Sequence, residues 1–222
     1  MPGRVPRRSE LASSIVGRIK TGARGKADLL LVDVGEGPIV VKDFAAKPWW
    51  SRALGRLQVA RECRAYRRLG SIPGIARFLG RVDALALALE RVVGEQLAFS
   101  ELRLSDGEAR VAELRAIVAR MHAAGVYHQD LRGRENVLIR PDGTLVLVDL
   151  AGAFCFRPRG WLHRSLGPVL AVSDESALLK WKALLAPGSF TADEEAFLRR
   201  FRFWRSLWVF NRKRKPRSQD PS

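Results

Sequence analysis

The sequence contains few of the residues that form disulfides and no long apolar segment that could anchor a protein in a membrane. Only two of its 222 residues are cysteine, Cys63 and Cys155, and they are far apart without the spacing of a metal site. We therefore expect reduced thiols in a cytosolic protein rather than a disulfide. No apolar run reaches the roughly 18 residues that span a bilayer, and the N-terminus has no apolar signal core. The sequence predicts a protein that can sit on a membrane without crossing it.

Acidic residues are scarce relative to basic ones. The chain has 39 Lys and Arg against 23 Asp and Glu, which gives a net charge of +16. Such a surface attracts polyanions, whether nucleic acid, anionic lipid or a phosphorylated substrate, and charge alone does not choose among them. Because no RNP, zinc-finger or KH pattern is present, nucleic acid is not an expected partner, although the charge leaves it open. The hydrophobic fraction of 47% fits a folded protein rather than a disordered one.

The pattern of elements divides the chain into three parts. Residues 1–14 carry prolines and a cluster of arginines, and we predict a basic flexible arm. Residues 15–93 hold short β-type runs broken by glycines, with one helix at about 51–69, which predicts a small antiparallel lobe. Residues 94–222 are dominated by helical patterns. We therefore expect an α+β, bilobal fold with a small β-rich N-lobe and a reduced, mainly helical C-lobe.

One segment combines residues that phosphoryl transfer requires. That reaction needs a carboxylate near the acceptor hydroxyl and oxygen ligands for magnesium. The segment YHQDLRGRENVLI (127–139) places Asp130 in a loop after a helix and Asn136 just before an apolar strand. Thirteen residues beyond Asn136, Asp149 lies at the end of the next strand. A solvated loop with ordinary turn carboxylates is the alternative, and the three residues at these offsets favour phosphoryl transfer.

This pattern resembles that of the protein-kinase-like superfamily. The sequence HQD at 128–130 stands where the family has His-Arg-Asp, and Asp149-Leu-Ala stands where it has Asp-Phe-Gly. The resemblance implies that Asp130 accepts the proton of the acceptor hydroxyl and that Asn136 and Asp149 bind Mg²⁺. The loop is one residue longer than in the family, so Glu135 occupies the usual asparagine position. We interpret Asn136 as the ligand because it keeps its offset to the next strand and to Asp149, and a role for Glu135 stays open.

Two upstream residues extend the resemblance. In PIVVKDF, Lys42 follows a run of β-branched residues, as in the family's Val-Ala-Ile-Lys strand, and Glu62 lies twenty residues later in the predicted helix. The family pairs such a glutamate with the lysine, which contacts the α- and β-phosphates of ATP. Taken singly, Lys42 would be an exposed strand lysine and Glu62 a solvated helix charge. Their register with the downstream motif implies that both belong to the catalytic site.

Two further segments resemble the family's nucleotide-binding parts. ALALALER followed by VVGEQL is similar to the fifth strand and hinge, which implies that backbone groups around Glu90 to Val92 bind the adenine edge. The stretch IVGRIKTGARGKADL holds Gly22 and Gly25 but lacks the family's GxGxxG pattern. We still expect backbone N–H groups there to cradle phosphate. The resemblance covers about residues 15–155.

Features that are missing after the Asp149-Leu-Ala motif limit which class of kinase the sequence resembles. No Ala-Pro-Glu segment is present and the second lobe is short, which argues against a regulated eukaryotic-type protein kinase. The pattern is similar to bacterial lipopolysaccharide kinases of the Kdo/WaaP type and to small RIO-like kinases, especially over PWWSRALGRLQVARECRAYRRL (48–69). This implies an ATP- and Mg-dependent kinase for a lipopolysaccharide core sugar or related envelope glycolipid, cytoplasmic and peripheral at the inner membrane. The alternatives are a RIO-like serine/threonine protein kinase and, further, a nucleotide-binding pseudokinase or a basic nucleic-acid-binding module.

The C-terminal region predicts an amphipathic helix from about 192, followed by a basic tail. Thr191 and Glu194 form a capping box at its start. Four aromatic residues recur at helical spacing on one stripe: Phe197, Phe201, Trp204 and Trp208. Nine basic residues and no acidic one lie between 196 and 219. This composition is typical of a helix on an anionic membrane surface, and the alternative is that the aromatic residues pack on the core of the C-lobe.

Overall fold

The computed structural model describes residues 4–23, 25–101 and 106–207. Within these ranges the chain is an α+β protein with mostly antiparallel strands. Its five α-helices are α1 (Arg8–Ser14), α2 (Trp49–Leu69), α3 (Gly107–Ala123), α4 (Trp161–Leu185) and α5 (Ala192–Leu207). The α+β class is confirmed, and the arrangement is compatible with two lobes.

A five-stranded antiparallel sheet forms the first half of the chain. In chain order its strands are β1 (Ile15–Lys20), β2 (Asp28–Asp33), β3 (Pro38–Asp43), β4 (Phe78–Arg81) and β5 (Ala86–Glu90), and their spatial order is β1-β2-β3-β5-β4. Side chains alternate between the two faces of a strand. Val41 therefore joins the small core beneath α1, whereas Lys42 lies opposite Leu87 on the other face, which belongs to the main core with α2.

The N-terminal segment differs from the flexible arm predicted for residues 1–14. Residues 8–14 form α1, which covers one face of the sheet with the buried side chain of Leu11. Arg8 donates to Asp43 and to Asp83 at 2.6 Å each, so one guanidinium joins the end of β3 to the loop between β4 and β5. These contacts link positions 35 and 75 residues apart, and no local pattern predicts them.

Helix α2 packs closely on the other face of the sheet. A Cβ at Gly55 would lie 2.4 Å from the ring of Phe44, so only glycine permits this approach. The buried side of α2 carries Glu62, Cys63 and Tyr66. Its predicted span of about 51–69 is confirmed, with a start two residues earlier. Because Glu62 faces inward, the helix presents a charged group to the interior beside the sheet.

Two small sheets build the second half around a loop. One contains β6 (Glu95–Gln96), β8 (Val137–Ile139) and β9 (Leu145–Leu147), and the other pairs β7 (Val126–Tyr127) with β10 (Phe154–Cys155). The β8–β9 hairpin confirms the two predicted strands, the one after Asn136 and the one that leads to Asp149. The two-residue strands β6, β7 and β10 were not predicted, because a pair of residues has no periodicity to detect. Together the sheets hold the ends of the loop at 128–136 close to Asp149.

Helices α3, α4 and α5 complete the second half. The buried half of α4, around Trp181, packs against α3. Helix α5 begins as predicted, since Thr191 N donates to Glu194 Oε2 at 2.9 Å and Glu194 N donates to Thr191 Oγ1 at 3.3 Å. The side chains of Phe201 and Trp204, and all of Trp208, lie outside the described part, so the aromatic stripe stays a prediction. No helix in the described ranges combines the length and the apolar character that a membrane span requires.

Candidate active site

Three charged side chains from distant parts of the chain meet at the inner face of the sheet. Lys42 Nζ on β3 lies 2.6 Å from Glu62 Oε1 on α2 and 2.7 Å from Asp149 Oδ1, two residues after β9. Lys42 is 8% exposed and Glu62 3%, so both are removed from solvent. The alternatives of an exposed strand lysine and a solvated helix charge are wrong. The contact with Asp149 connects the two halves of the protein at this point.

Burial and mutual attraction act in opposite directions on the three charges. Burial lowers the pKa of Lys42, but the carboxylates of Glu62 and Asp149 outweigh it and raise that pKa above its usual value. Burial raises the pKa of Asp149, and the Lys42 ammonium outweighs it and holds the pKa below its usual value. Burial raises the pKa of Glu62, with Lys42 opposing. Lys42 is therefore a fixed positive charge with one partly exposed carboxylate beside it.

The backbone at Asp149 has an unusual conformation. Its φ of 64° lies in the left-handed region, which few residues other than glycine adopt, Asp and Asn being among the exceptions. Asp149 Oδ1 also accepts from Ala151 N at 3.3 Å, which holds the carboxylate over its own turn. Left-handed residues of this kind concentrate at functional sites, where the surrounding structure imposes them. The turn aims the carboxylate at Lys42.

Asp130 and Asn136 are joined across the loop between β7 and β8. Asn136 Nδ2 donates to the Asp130 carbonyl oxygen at 2.7 Å and approaches Asp130 Oδ2 at 3.4 Å. Val148 N donates to Asn136 O at 3.0 Å, which ties this pair to the segment that ends in Asp149. A Cβ at Gly133 would lie 2.8 Å from Asn136 Nδ2, so the lengthened loop closes only over glycine.

Glu135 and Asn136 are neighbours in this loop, but they differ in burial. Asn136 is buried beside Asp130, whereas Glu135 is exposed. The additional residue of the loop is therefore absorbed before Asn136, as expected from its offset to the following strand. The Asp130 side chain itself is exposed, which leaves its carboxylate open to a second molecule.

His128 is a buried support of this loop. Asp130 N donates to His128 Nδ1 at 3.3 Å, and His128 Nε2 lies 3.3 Å from Val148 O. A neutral ring with its proton on Nε2 satisfies both contacts. Burial lowers the pKa of His128, and the nearby Asp174 opposes this without reversing it. The ring is thus neutral at neutral pH and acts by positioning.

The neutral state of His128 predicts a pH-dependent stability. An unfolded histidine binds a proton near pH 6.5 while folded His128 resists it, so the free energy of unfolding should fall by up to about 1.4 kcal/mol per pH unit below about pH 6.5. Urea unfolding followed by circular dichroism between pH 7.5 and 5 measures this. His128→Gln should flatten the decline, whereas His163→Gln should leave it unchanged. An equal slope in the parent and in His128→Gln contradicts the assignment.

Asp174 on α4 is a site residue that the sequence analysis missed. Its carboxylate accepts from the backbone N–H of His128 at 2.9 Å and of Gln129 at 2.8 Å, and it lies 2.9 Å from His122 Nε2. Gln129 has φ of 64°, so Asp174 stabilises a second left-handed residue next to Asp130. A signal was present in the sequence, because Asp174 shares a helical stripe with the apolar residues Ala177, Leu178 and Trp181.

The two glycines predicted to cradle phosphate have different surroundings. Gly22 N donates to Asp28 Oδ1 at 2.8 Å, and Gly22 O accepts from Lys47 Nζ at 2.8 Å. A Cβ at Gly22 would lie 2.2 Å from the Ala27 carbonyl oxygen. The backbone of Gly22 therefore closes the β1–β2 turn, and its contact with phosphate stays a prediction. Gly25 has φ of 83° and open space around it, and its contact with phosphate stays a prediction.

Strand β5 ends at Glu90, and Val92 lies two residues beyond it; the N–H and the carboxylate of Glu90 already have partners. Glu90 N donates to Arg77 O at 2.9 Å, and its Oε1 accepts from Arg77 N at 3.0 Å and Arg140 Nη2 at 3.1 Å. Glu90 thus contacts Arg77, which precedes β4, and Arg140, which follows β8. The N–H of Glu90 is therefore occupied, and contact of its carbonyl oxygen or of the half-buried Val92 with adenine stays a prediction.

The donor set fits magnesium better than a metal held by protein alone. No group of three His, Cys, Asp or Glu side chains that can hold a metal ion occurs in the described ranges. Asp149 and Asn136 supply one carboxylate and one amide oxygen, linked through the Val148–Asn136 hydrogen bond. Mg²⁺ is commonly bound by one or two protein oxygens together with water and the phosphates of a substrate. These residues therefore fit magnesium that arrives with a nucleotide.

A comparison with models of protein families finds no match for the chain, and a comparison with curated proteins finds none either.

Proposed function

We propose that this protein is an ATP- and magnesium-dependent phosphotransferase with a bilobal protein-kinase-like fold. The observation that carries the proposal is the buried contact of Lys42 with both Glu62 and Asp149. A lysine held in this way between a helix glutamate and a loop aspartate is the arrangement that phosphoryl transfer uses to bind the nucleotide phosphates. The Asp130–Asn136 pair, tied to the same segment through Val148, supplies the remaining groups.

Each residue has a distinct role in this proposal. Lys42 contacts the α- and β-phosphates, and Glu62 keeps its ammonium in place. Asp149 and Asn136 provide oxygen ligands for Mg²⁺, which when bound neutralises the charge that develops on the phosphate oxygens. Asp130 accepts the proton of the acceptor hydroxyl as its oxygen bonds to the γ-phosphorus. The bond from that phosphorus to the bridging oxygen breaks, and ADP leaves with the electron pair.

The retention of every residue of the set argues against a pseudokinase. A chain that only bound nucleotide would need Lys42 but not an exposed carboxylate at Asp130 held by the buried Asn136. A dedicated nucleic-acid-binding module would need neither. The buried charges at Lys42 and Glu62 are costly to maintain, and a solvated basic surface alone gives no reason for them.

For the acceptor we propose a hydroxyl of an envelope glycolipid, which places the protein in the cytoplasm and peripheral at the inner membrane. The resemblance to lipopolysaccharide kinases supports this choice. So do the net charge of +16 and the exposed rings of Trp49 and Trp161, 76% and 74% exposed, since tryptophan and arginine favour an anionic membrane surface. A serine or threonine of a protein is the alternative acceptor, by the resemblance to RIO-like kinases.

Substitution of Lys42 tests the nucleotide site directly. Lys42→Met should weaken binding of MgATP by about 10- to 150-fold, because charge-assisted hydrogen bonds to the phosphates are lost. Isothermal titration calorimetry measures the affinity, and circular dichroism verifies that the variant is folded. Lys182→Met removes a similar ion pair, with Glu194, on the far side of the C-lobe and should leave MgATP affinity unchanged. Equal affinity of the parent and a folded Lys42→Met variant would refute the proposed site.

A further inference from the structure

The solvent-facing side of α2 has a sharply divided composition. Trp50, Leu54 and Leu57 occupy its first turns, and arginines continue the same stripe toward the C-terminal end at helical spacing: Arg61, Arg64 and Arg68. Leu57 is 64% exposed, and Arg61 and Arg64 are exposed as well. The opposite side of the helix carries Glu62. Arg61 donates to the carbonyl oxygens of Gly152 and Ala153, shortly after Asp149. In the described part of the chain, no hydrogen bond or ion pair joins Arg64 or Arg68 to a residue of the proposed active site.

This surface contains a cavity of about 480 Å³ between α2 and β4, which we name the α2 pocket. It is lined by Ala60, Cys63, Arg64, Arg67, Arg68 and Arg81. Four of the six residues are arginines and none is acidic. The volume lies within the range of about 300–1,000 Å³ that is typical of small-molecule sites.

The arginines of the α2 pocket are not neutralised by the protein. Among the described residues, none of the four forms an ion pair with a carboxylate, whereas Arg8 on the other face of the sheet has two. Arg67 instead lies over the ring of Phe78, 5.8 Å from its centroid, and Arg68 donates to the carbonyl oxygen of Phe156. These contacts orient the guanidinium groups and leave their charge uncompensated.

Cys63 also lines the cavity, and its side chain is almost fully buried. Burial raises the pKa of its thiol, and Arg67 and Arg81, which reach it from the helix and from the sheet, act in the opposite direction. Like charges brought together from two elements repel each other, and an anion between them removes that cost.

We propose that the α2 pocket binds the phosphate group of an anionic ligand other than the proposed nucleotide. Arginine is suited to phosphate because its planar fork donates two parallel hydrogen bonds. The α2 pocket is open to solvent but small, about 480 Å³, which suits a compact phosphate group, whereas an extended nucleic-acid backbone needs a continuous groove. The phosphate group belongs either to a small soluble molecule or to a lipid headgroup whose chains meet the apolar turns at Leu54 and Leu57. The inference does not depend on phosphotransferase activity.

A pair of charge-matched variants on α2 tests this proposal. Arg64→Ala with Arg67→Ala removes two arginines of the pocket, and Arg52→Ala with Arg56→Ala removes two exposed arginines of the same helix outside it. Alanine favours helix at all four positions. Binding of inorganic pyrophosphate is measured by calorimetry, and binding to vesicles of phosphatidylcholine with 20% phosphatidic acid, about one lipid in five, by co-sedimentation. Pyrophosphate that binds at Lys42 contributes equally to the parent protein and to both double variants, so it does not affect the comparison of their affinities.

We expect Arg64→Ala with Arg67→Ala to weaken binding at least about 30-fold in one of the two measurements, and the matched pair to change it by less than about threefold. Loss of pyrophosphate binding identifies a soluble ligand, and loss of vesicle binding alone identifies a lipid headgroup. Equal effects of the two pairs mean that net charge acts without a pocket and overturn the proposal. The proposal is also overturned if the parent protein binds neither probe. It is overturned as well if the substitutions at Arg64 and Arg67 weaken binding of single-stranded RNA only.

Discussion

Asp130→Asn is expected to lower the rate of phosphate transfer by about 10²- to 10⁴-fold, because an amide cannot accept the proton of the acceptor hydroxyl. The substitution keeps the shape of the side chain and the backbone contacts of Asp130 with Asn136. Affinity for MgATP should therefore change by less than about threefold. The measurement is incubation of γ-labelled ATP with an envelope-lipid extract and, separately, with total protein, followed by counting of each fraction.

The control for this prediction is the neighbouring carboxylate of the same loop. Glu135→Gln removes an equal charge from an exposed position and should leave transfer within about twofold of the parent. Label that appears in lipid and is lost with Asp130→Asn supports the glycolipid acceptor, and label in protein supports the alternative. If Asp130→Asn retains the activity of the parent while Glu135→Gln loses it, the base has been assigned to the wrong residue.

Asp174→Ala is expected to lower the free energy of unfolding by about 3 kcal/mol. The carboxylate is 1% exposed and accepts from two backbone N–H groups, at His128 and Gln129, which lose this acceptor in the variant. Leaving a buried donor without an acceptor costs about 1–3 kcal/mol, and two donors are affected. Urea unfolding at pH 7.5 measures the change.

The adjacent residue provides a matched comparison. Glu175 forms an ion pair with Arg115 at 2.8 Å, but its side chain is 35% exposed. Glu175→Ala should therefore lower stability by less than about 1 kcal/mol. Because Asp174 also holds Gln129 in its left-handed conformation, a folded Asp174→Asn variant should lose phosphate transfer with little change in MgATP affinity. Equal destabilisation by Asp174→Ala and Glu175→Ala would show that the loop does not depend on this carboxylate.

The sequence was most informative where two local patterns had to agree. Lys42 follows a β-branched strand and Glu62 lies in a helix of regular period, and each pattern places its residue without knowledge of the other. Asn136 was preferred over Glu135 by its offset to the next strand, and its burial beside Asp130 agrees with that choice. Strand and helix periods depend on neighbours a few residues away, which is why these parts were predictable.

The sequence was least informative where one element acts on another far along the chain. Asp174 lies 46 residues from His128, and Arg8 lies 75 residues from Asp83. The contact of Gly22 with Asp28 spans a short turn, yet the same carboxylate oxygen also accepts from Lys47, 19 residues further along the chain. The sequence around a single aspartate in a helix, or a single arginine near the N-terminus, does not indicate which distant residue it will contact.

By itself, the sequence determined the α+β class, the helix at about 51–69, the start of the helix near 192, and the candidate residues Lys42, Glu62, Asp130, Asn136 and Asp149. Only the tertiary structure decided that Lys42 contacts Glu62 and Asp149 together, that Gly22 closes a turn, and that the arginines of α2 surround a cavity. The physical reason is that periodicity is set by the local geometry of the backbone, whereas burial, pKa shifts and charge clusters arise only when distant segments pack against each other.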